Sequence, residues 1–101
     1  MYLYNVTYKV DHEVEEQWMQ WMRSTHIPRV VRLGQFLGHR ICKLIGMDEP
    51  DGVTYAIQYM CPDIPTFQTY QEEHAENLKR AHAAQFKNHY VSFSTVLEII
   101  E

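Results

Sequence analysis

The amino-acid sequence predicts an α+β protein in which two helices cover one face of a four-stranded antiparallel sheet. Two segments alternate with the period of a strand, two further apolar runs are typical of strands, and two segments repeat apolar residues at helical spacing. These elements follow one another in the order strand, helix, strand, strand, helix, strand. The chain of 101 residues has the size of one domain, so we expect a single domain spanning residues 1 to 101.

The first strand and the first helix are predicted from the N-terminal third of the chain. Residues 2 to 10 alternate, with tyrosine and valine at the even positions. Asp11 is a candidate N-cap for a helix of about four turns, since three glutamates follow where the helix dipole favours negative charge. Because Pro28 disfavours helical geometry in the residue before it, we expect a bent exit over residues 26 to 34, closed by a positive φ at Gly34.

The remaining elements are predicted from similar signals. Strands are expected at residues 36 to 45 and 53 to 61, joined by a turn rich in Gly, Pro and Asp over residues 46 to 52. Asp63 is a candidate cap for the second helix, and residues 90 to 100 alternate as a closing strand. The buried stripe of the second helix is predicted at Phe67, Tyr70, His74, Leu78, Ala81 and Gln85.

This order of elements is the split βαβ arrangement called ferredoxin-like, βαββαβ, in which both helices lie on one face of the sheet. The second and fourth strands nevertheless carry apolar residues on both faces. The fourth, for example, has Val91 and Phe93 on one face and Val96 and Ile100 on the other. Since a monomer rarely leaves a large apolar sheet face exposed, we expect the chain to partner itself in a homodimer packed sheet to sheet.

Charge and hydropathy exclude two classes of partner. Nine Lys and Arg stand against thirteen Asp and Glu, and the net charge of −4 has the wrong sign for a nucleic-acid binder. No apolar run is long enough to span a membrane, and the N-terminus lacks the pattern of a signal peptide. We therefore expect a cytoplasmic protein with no nucleic-acid or membrane partner.

Six short segments carry a family likeness. They are residues 4–7 (YNVT), 18–22 (WMQWM), 26–30 (HIPRV), 34–36 (GQF), 40–42 (RIC) and 53–59 (VTYAIQY). Together they resemble a bacterial family of short proteins classified as a domain of unknown function, itself similar to the dimeric α/β-barrel superfamily. That superfamily includes cofactor-free monooxygenases of antibiotic biosynthesis, muconolactone-type isomerases, stress-responsive barrel proteins and haem-degrading enzymes. The resemblance implies a ferredoxin-like fold and a dimeric α/β barrel, but no particular chemistry.

His26 is the candidate catalytic residue. It lies beside Ile27 and Pro28, where the helix is expected to bend, and a neutral imidazole suits proton abstraction or hydrogen bonding to a small carbonyl or phenol. The resemblance adds that several relatives have a histidine near a corresponding position facing a pocket between helices and sheet. The alternative is that His26 only interacts with the last carbonyl groups of the first helix.

Five further residues are candidates for ligand binding. Asn5 and Gln58 lie on the strands expected to be central, and there they would orient a polar ligand or bond to neighbouring strand residues. Trp18, Trp21 and Tyr59 would form flat apolar walls suited to an aromatic ligand, or they belong to an ordinary core.

No metal site or cofactor is predicted. The chain has six histidines, but their spacings match no recognised ligand pattern, and no phosphate-binding loop or nucleophile motif occurs. Two hypotheses follow, and the residues leave open which holds and whether the protein is an enzyme. In the first, a homodimer binds or transforms a small aromatic or carbonyl ligand between helices and sheet. In the second, a stress or regulatory homodimer uses the same residues only for packing.

Overall fold

A computed structural model of the chain describes residues 1–46 and 49–101; Met47 and Asp48, within the turn predicted at residues 46 to 52, lie outside them. The strands are β1 (Tyr2–Val10), β2 (Gly38–Lys43), β3 (Val53–Cys61) and β4 (Tyr90–Glu98). The helices are α1 (Glu15–Trp21), α2 (Ile27–Arg32), α3 (Ile64–Glu73) and α4 (Ala75–Phe86). A short 3₁₀ turn, His12–Val14, precedes α1, and a π-helical turn, Met22–His26, joins α1 to α2.

The sheet has the order β2-β3-β1-β4, and every neighbouring pair is antiparallel. Val6 at the middle of β1 lies opposite Ile57 of β3 on one side and Ser94 of β4 on the other. This arrangement confirms the predicted α+β, ferredoxin-like fold with β1 and β3 as central strands. The edge strands are shorter than predicted, because β2 begins at Gly38 and β4 ends at Glu98.

The bend predicted before Pro28 is wrong, because the chain stays helical up to Arg32. The N–H of Ile27 bonds to the carbonyl of Met22, five residues back, which makes the turn one residue wider than an α-helical turn. A wider turn relieves the crowding of a proline ring against the preceding turn, so the helix passes through Pro28. Gly34 then ends the segment with the predicted positive φ, of 83°.

The cap predicted at Asp11 is also wrong, since among the described residues its side chain makes no capping hydrogen bond. The Asp11 N–H instead donates to the carbonyl of His89 at 2.9 Å, and its Oδ2 lies 3.2 Å from Nδ1 of His89. Asp11 therefore ties the start of the first helical segment to the turn that precedes β4.

The second predicted helix is divided in two at His74, whose φ of −129° is not helical. Its cap is as predicted, because Asp63 Oδ1 accepts a hydrogen bond from the N–H of Thr66 at 2.8 Å. Because the helix breaks at His74, the buried face of α4 does not continue the spacing of α3, and the predicted positions Ala81 and Gln85 are not buried. The buried residues of α4 are Ala75, Leu78, His82 and Phe86.

The core lies between the helices and one face of the sheet, and it is rich in aromatic rings. On this helix-facing side, β1 and β3 present buried residues at alternate positions: Tyr4, Val6, Tyr8, Val10, Tyr55, Ile57, Tyr59 and Cys61. Trp18 and Met22 from the first helical segment are fully buried against them. No helix in the described part of the chain is long and apolar enough to cross a membrane.

The other side of the sheet, which we call the open face, is covered by none of the helices formed by the described residues. The register places Val91, Phe93 and Leu97 of β4 on this face, and Phe93 is 64% exposed and Leu97 48%. The helix-facing positions of β4 carry the smaller Ser92 and Ser94, opposite Tyr8 and Val6. In the middle of β4, the large Phe93 therefore lies on the open face, and the small Ser92 and Ser94 lie toward the helices.

Candidate functional site

A cavity of about 230 Å³ lies on the helix-facing side of the sheet, among α4, the π-helical turn and the strands β1, β3 and β4. Ser92 and Ser94, at helix-facing positions of β4, line this space with short side chains, whereas the rings of Tyr8 and Tyr90 reach His82 of α4. The polar side chains that matter to its chemistry are Tyr4, His26, Tyr59, Tyr70, His82 and Ser94.

His26 lines this cavity from the last position of the π-helical turn and is only 6% exposed. Its ring packs on Trp21, with 5.4 Å between the ring centroids. Burial, with a smaller contribution from the positive charge of Arg29, lowers the pKa of His26 from 6.5 to about 4. The imidazole is therefore neutral at pH 7. Because the helix continues through His26 into α2, this residue does not lie at the end of the helix.

His82 lines the same cavity from the middle of α4 and is 3% exposed. Its Nε2 accepts a hydrogen bond from Nε1 of Trp18 at 2.8 Å. Its ring lies parallel to that of Trp21, 5.4 Å away with 10° between the planes. Burial and then the neighbouring His26 lower the pKa of His82 to about 4, so the cavity contains two neutral imidazoles 5.8 Å apart.

Sequence reasoning missed His82 as a site residue. The signal was present, because His82 lies four residues from both Leu78 and Phe86, which is the spacing of one helical face. The predicted stripe instead ran through Ala81, since it continued from the turn before His74 without a change of phase.

The tyrosines form the apolar wall and carry polar ends. Tyr59 Oη is buried and has no hydrogen-bond partner among the residues that the structure describes. Burial raises its pKa, and the nearby Tyr70 and Tyr4 add to the shift. Burial likewise raises the pKa of Tyr4, although the hydroxyls of Ser94 and Tyr70 partly offset it. All of these phenol groups are therefore protonated at pH 7.

The six predicted site residues divide into two groups. His26 and Tyr59 line the cavity, and Trp18 and Trp21 support it from behind, one by its hydrogen bond to His82 and the other by stacking. The other two predicted residues, Asn5 and Gln58, lie on the opposite side of the sheet.

Asn5 and Gln58 belong to a hydrogen-bonded row on the open face. Gln58 Nε2 donates to Asn5 Oδ1 at 3.3 Å, and Asn5 Nδ2 donates to Thr7 Oγ1 at 3.2 Å and Thr95 Oγ1 at 3.5 Å. The pairing of Tyr4 with Tyr59 and of Asn5 with Gln58 sets the two pairs on opposite faces, since successive side chains alternate. The structure therefore does not bring Asn5 and Gln58 to the cavity that His26 lines.

A larger groove, of about 810 Å³, runs along the outer side of α1. Two of its polar lining groups bond to each other, since Tyr55 Oη donates to Glu15 Oε2 at 2.5 Å. Burial raises the pKa of Tyr55 to about 12, and this hydrogen bond adds to the shift. The groove is open to solvent and contains none of the predicted site residues. In residues 1–46 and 49–101, no three His, Cys, Asp or Glu side chains are grouped to hold a metal ion.

Comparison with known families identifies one match over nearly the whole chain. The sequence model of a family described as "Domain of unknown function (DUF4286)" matches residues 1–100. Comparison with curated proteins finds no match.

Solved structures with a similar fold share little sequence with this chain. A dimeric ferredoxin-like protein from an uncultured marine organism has a TM-score of 0.75 at 8% identity, covering 99% of this chain and 95% of that one. An EthD family protein from Bacillus halodurans has a TM-score of 0.68 at 13% identity, covering 99% and 100%. A cofactor-independent oxygenase from Streptomyces nogalater, in a mutant form, has a TM-score of 0.63 at 13% identity, covering 99% and 94%. At such identities the likeness shows the fold alone.

Proposed function

The chain belongs to the family of unknown function DUF4286, and we propose that it binds a small ring-shaped ligand with a hydroxyl or carbonyl oxygen in the cavity between helices and sheet. The observation that carries this proposal is the convergence of buried polar groups on one space. Tyr59 Oη has no partner in the described part of the chain, and the hydrogen bonds there include none to His26 and none to Nδ1 of His82.

Unpartnered polar groups in a core are expensive, at about 1–3 kcal/mol each. On the open face, the amides of Asn5 and Gln58 have partners. At the cavity, by contrast, the buried Tyr59 Oη has no partner among the described residues, and it lies beside a space that admits a ligand or ordered waters. An oxygen-bearing ligand bound there would give this hydroxyl a partner.

The size and lining of the cavity favour a single aromatic ring. An apolar cavity of about 150 Å³ is known to hold benzene, so about 230 Å³ has room for a ring with one or two substituents. The rings of Tyr4, Tyr8 and Tyr70 supply aromatic walls. Both imidazoles and the phenols are neutral, so the part of the ligand that contacts them should be neutral as well. Lys79 also lines the cavity, from an exposed position on α4, and is the one cationic side chain among the lining residues that the structure describes.

His26 is the catalytic candidate if the ligand is also transformed. A neutral imidazole accepts the proton of a ligand hydroxyl: the ligand O–H bond breaks, an N–H bond forms on His26, and an oxyanion remains on the ligand. The fold neighbours that are a cofactor-independent oxygenase and an antibiotic biosynthesis monooxygenase support this extension by analogy of fold.

We propose that two copies of the chain pair through their open faces. Val91, Phe93 and Leu97 make an apolar strip on this face, and the adjoining row of amides and hydroxyls is already hydrogen-bonded, so it can be covered without leaving polar groups unpartnered. Two of the fold neighbours are described as dimeric ferredoxin-like proteins. Apart from Phe93 on the edge strand, the residues that line the cavity lie on the other side of the sheet, so we expect such a dimer to leave the cavity accessible.

Native mass spectrometry of freshly purified protein tests ligand and assembly together. We expect a dimer carrying an additional small mass. Titration with 4-hydroxybenzaldehyde, followed by NMR, should then shift signals of Tyr59, His26 and His82. Tyr59→Phe should lower the affinity for this probe about tenfold, as expected for one lost hydrogen bond. Tyr55→Phe removes a hydroxyl from the same strand but outside the cavity, so it should leave the affinity unchanged.

Either of two results would contradict the ligand proposal. One is the absence of both a bound mass and any probe-induced shift at the cavity, which would favour a homodimer without a ligand. The other is an equal loss of affinity for the probe in Tyr55→Phe and Tyr59→Phe. A monomeric spectrum would overturn the pairing of open faces.

A further inference from the structure

The tautomer of His82 follows from its hydrogen bond to Trp18. An indole N–H can only donate, so Nε2 of His82 must accept and cannot carry a proton. A neutral imidazole has one ring proton, which must then be on Nδ1. At 2.8 Å and in a buried setting, this bond specifies one of the two neutral forms.

Three aromatic rings hold the imidazole of His82 in place. Tyr8 meets it edge-on at 89°, with 5.1 Å between centroids, and Trp21 stacks on it. The ring of Tyr90 is closer still, with its centroid 4.0 Å away. Packing on several sides opposes a flip of the ring, so the Nδ1–H group keeps one position in a side chain that lines the cavity.

We propose that Trp18 makes His82 a fixed hydrogen-bond donor, and that the ligand therefore presents an acceptor oxygen, such as an aryl aldehyde or ketone carbonyl, to Nδ1 of His82. This inference rests on the proposed function and narrows its ligand class. Trp18 acts here as a positioning residue, because it acts on the ligand only through His82.

His26 differs from His82 in this respect. No hydrogen bond within residues 1–46 and 49–101 specifies its tautomer, so His26 can donate to or accept from the ligand. The two imidazoles, 5.8 Å apart, therefore offer one fixed donor and one adaptable group. A site built around a buried donor discriminates against a ligand without an acceptor, because the donor is then left unpartnered.

The tautomer is measured first, in the unaltered protein without ligand. In ¹⁵N NMR spectra of the histidine rings, we expect Nδ1 of His82 to carry the proton and Nε2 to have the shift of an unprotonated nitrogen. Trp18→Phe should produce a mixture of tautomers, whereas Trp21→Phe, which removes stacking but no hydrogen bond to His82, should not. A proton on Nε2 in the unaltered protein would overturn the assignment even if neither variant folded.

The ligand class is measured with benzaldehyde and toluene as probes, which differ by a carbonyl oxygen. The unaltered protein should bind benzaldehyde at least tenfold more tightly than toluene, and His82→Phe should reduce this ratio to about one. A ratio unchanged by His82→Phe would overturn the donor role while leaving the proposed function in place. If no ring-shaped probe binds at all, the proposed function fails, and the tautomer of His82 is then a feature of packing alone.

Discussion

The helix-facing side and the open face of the sheet are built from the same central strands but treat polar groups in opposite ways. On the open face, Asn5 and Gln58 bond to each other, and Asn5 also bonds to hydroxyls of β1 and β4. On the helix-facing side, the hydroxyl of Tyr59 is buried deeper yet has no partner in the described chain.

This difference separates two uses of a polar group. Groups that satisfy one another can be covered by a flat partner surface, which suits assembly. Groups that converge unsatisfied on a cavity suit a bound molecule. The predictions below test this difference, either by comparing the two faces or by comparing groups within one of them.

The largest effect is expected from Trp18→Ala. Trp18 is fully buried, and its removal creates a cavity and leaves Nε2 of His82 without its donor. The free energy of unfolding should fall by about 4 kcal/mol in urea denaturation. Leu97→Ala on the open face should cost less than about 1 kcal/mol in protein dilute enough to be monomeric. Equal losses would mean that the two faces do not differ in packing.

Acid should destabilise the helix-facing side through His26 and His82. Both have a pKa of about 4 when folded and about 6.5 when unfolded, so between these values the unfolded chain binds more protons. The free energy of unfolding should therefore fall as the pH is lowered from 6.5 to 4, by on the order of 3 kcal/mol for each histidine.

Glutamine variants test this pH dependence. His82→Gln retains an acceptor for Trp18 but does not titrate, so it should remove part of the fall in the free energy of unfolding between pH 6.5 and 4. His26→Gln should remove another part, and urea denaturation at several pH values measures both. A decline of the same size in the double variant would show that other groups cause it.

Phe93→Glu tests the open face. Phe93 is 64% exposed in one copy of the chain, so the change should leave the fold intact but place a carboxylate in the proposed pairing surface. The dimer dissociation constant, measured by sedimentation, should rise at least tenfold. Val96→Glu lies on the same strand but on its helix-facing side and should have little effect. Similar dissociation in both variants would argue against pairing through the open face.

The smallest effects concern two tyrosines on the same side of β3. Tyr55→Phe removes a hydrogen bond to Glu15 and should destabilise the protein by about 1 kcal/mol. Tyr59→Phe removes a hydroxyl that has no partner within residues 1–46 and 49–101, so without ligand it should be neutral or stabilising by about 1 kcal/mol. Thermal unfolding of both variants shows whether each change raises or lowers stability. If Tyr59→Phe lowered stability as much as Tyr55→Phe, the hydroxyl of Tyr59 would have a partner in solution.

Sequence patterns were most informative where one face of a strand is buried. The predicted bounds of β1 and β3 agree with the structure, because apolar or aromatic residues occupy alternate positions along the whole length of each strand. The edge strand β2 is shorter than its apolar run, since it pairs on one side only. Alternation along β1 also separates Asn5 from Tyr4, so its position on the open face was readable from the pattern.

The site was less predictable, because it depends on two irregularities in the helices. Pro28 indicated a bend, but a chain can also widen one turn and continue, and local propensity does not distinguish these outcomes. The break at His74 changes the phase of α4 and so decides which residues it buries. The widened turn places His26 in the core, and the break at His74 places His82 there.

Because of the π-helical turn, the orientation of α1 relative to α2 depends on the number of residues between Trp21 and Ile27. An α-helix rotates by about 100° per residue. A related chain with one residue fewer in Met22–His26 would turn everything before this segment by about that angle relative to α2. If α1 keeps its packing against the sheet, the histidine and α2 are the parts that turn, and the imidazole would leave its position at the cavity. Insertion or deletion of a single codon, rather than substitution, is therefore the genetic step by which such a chain would gain or lose its buried imidazole.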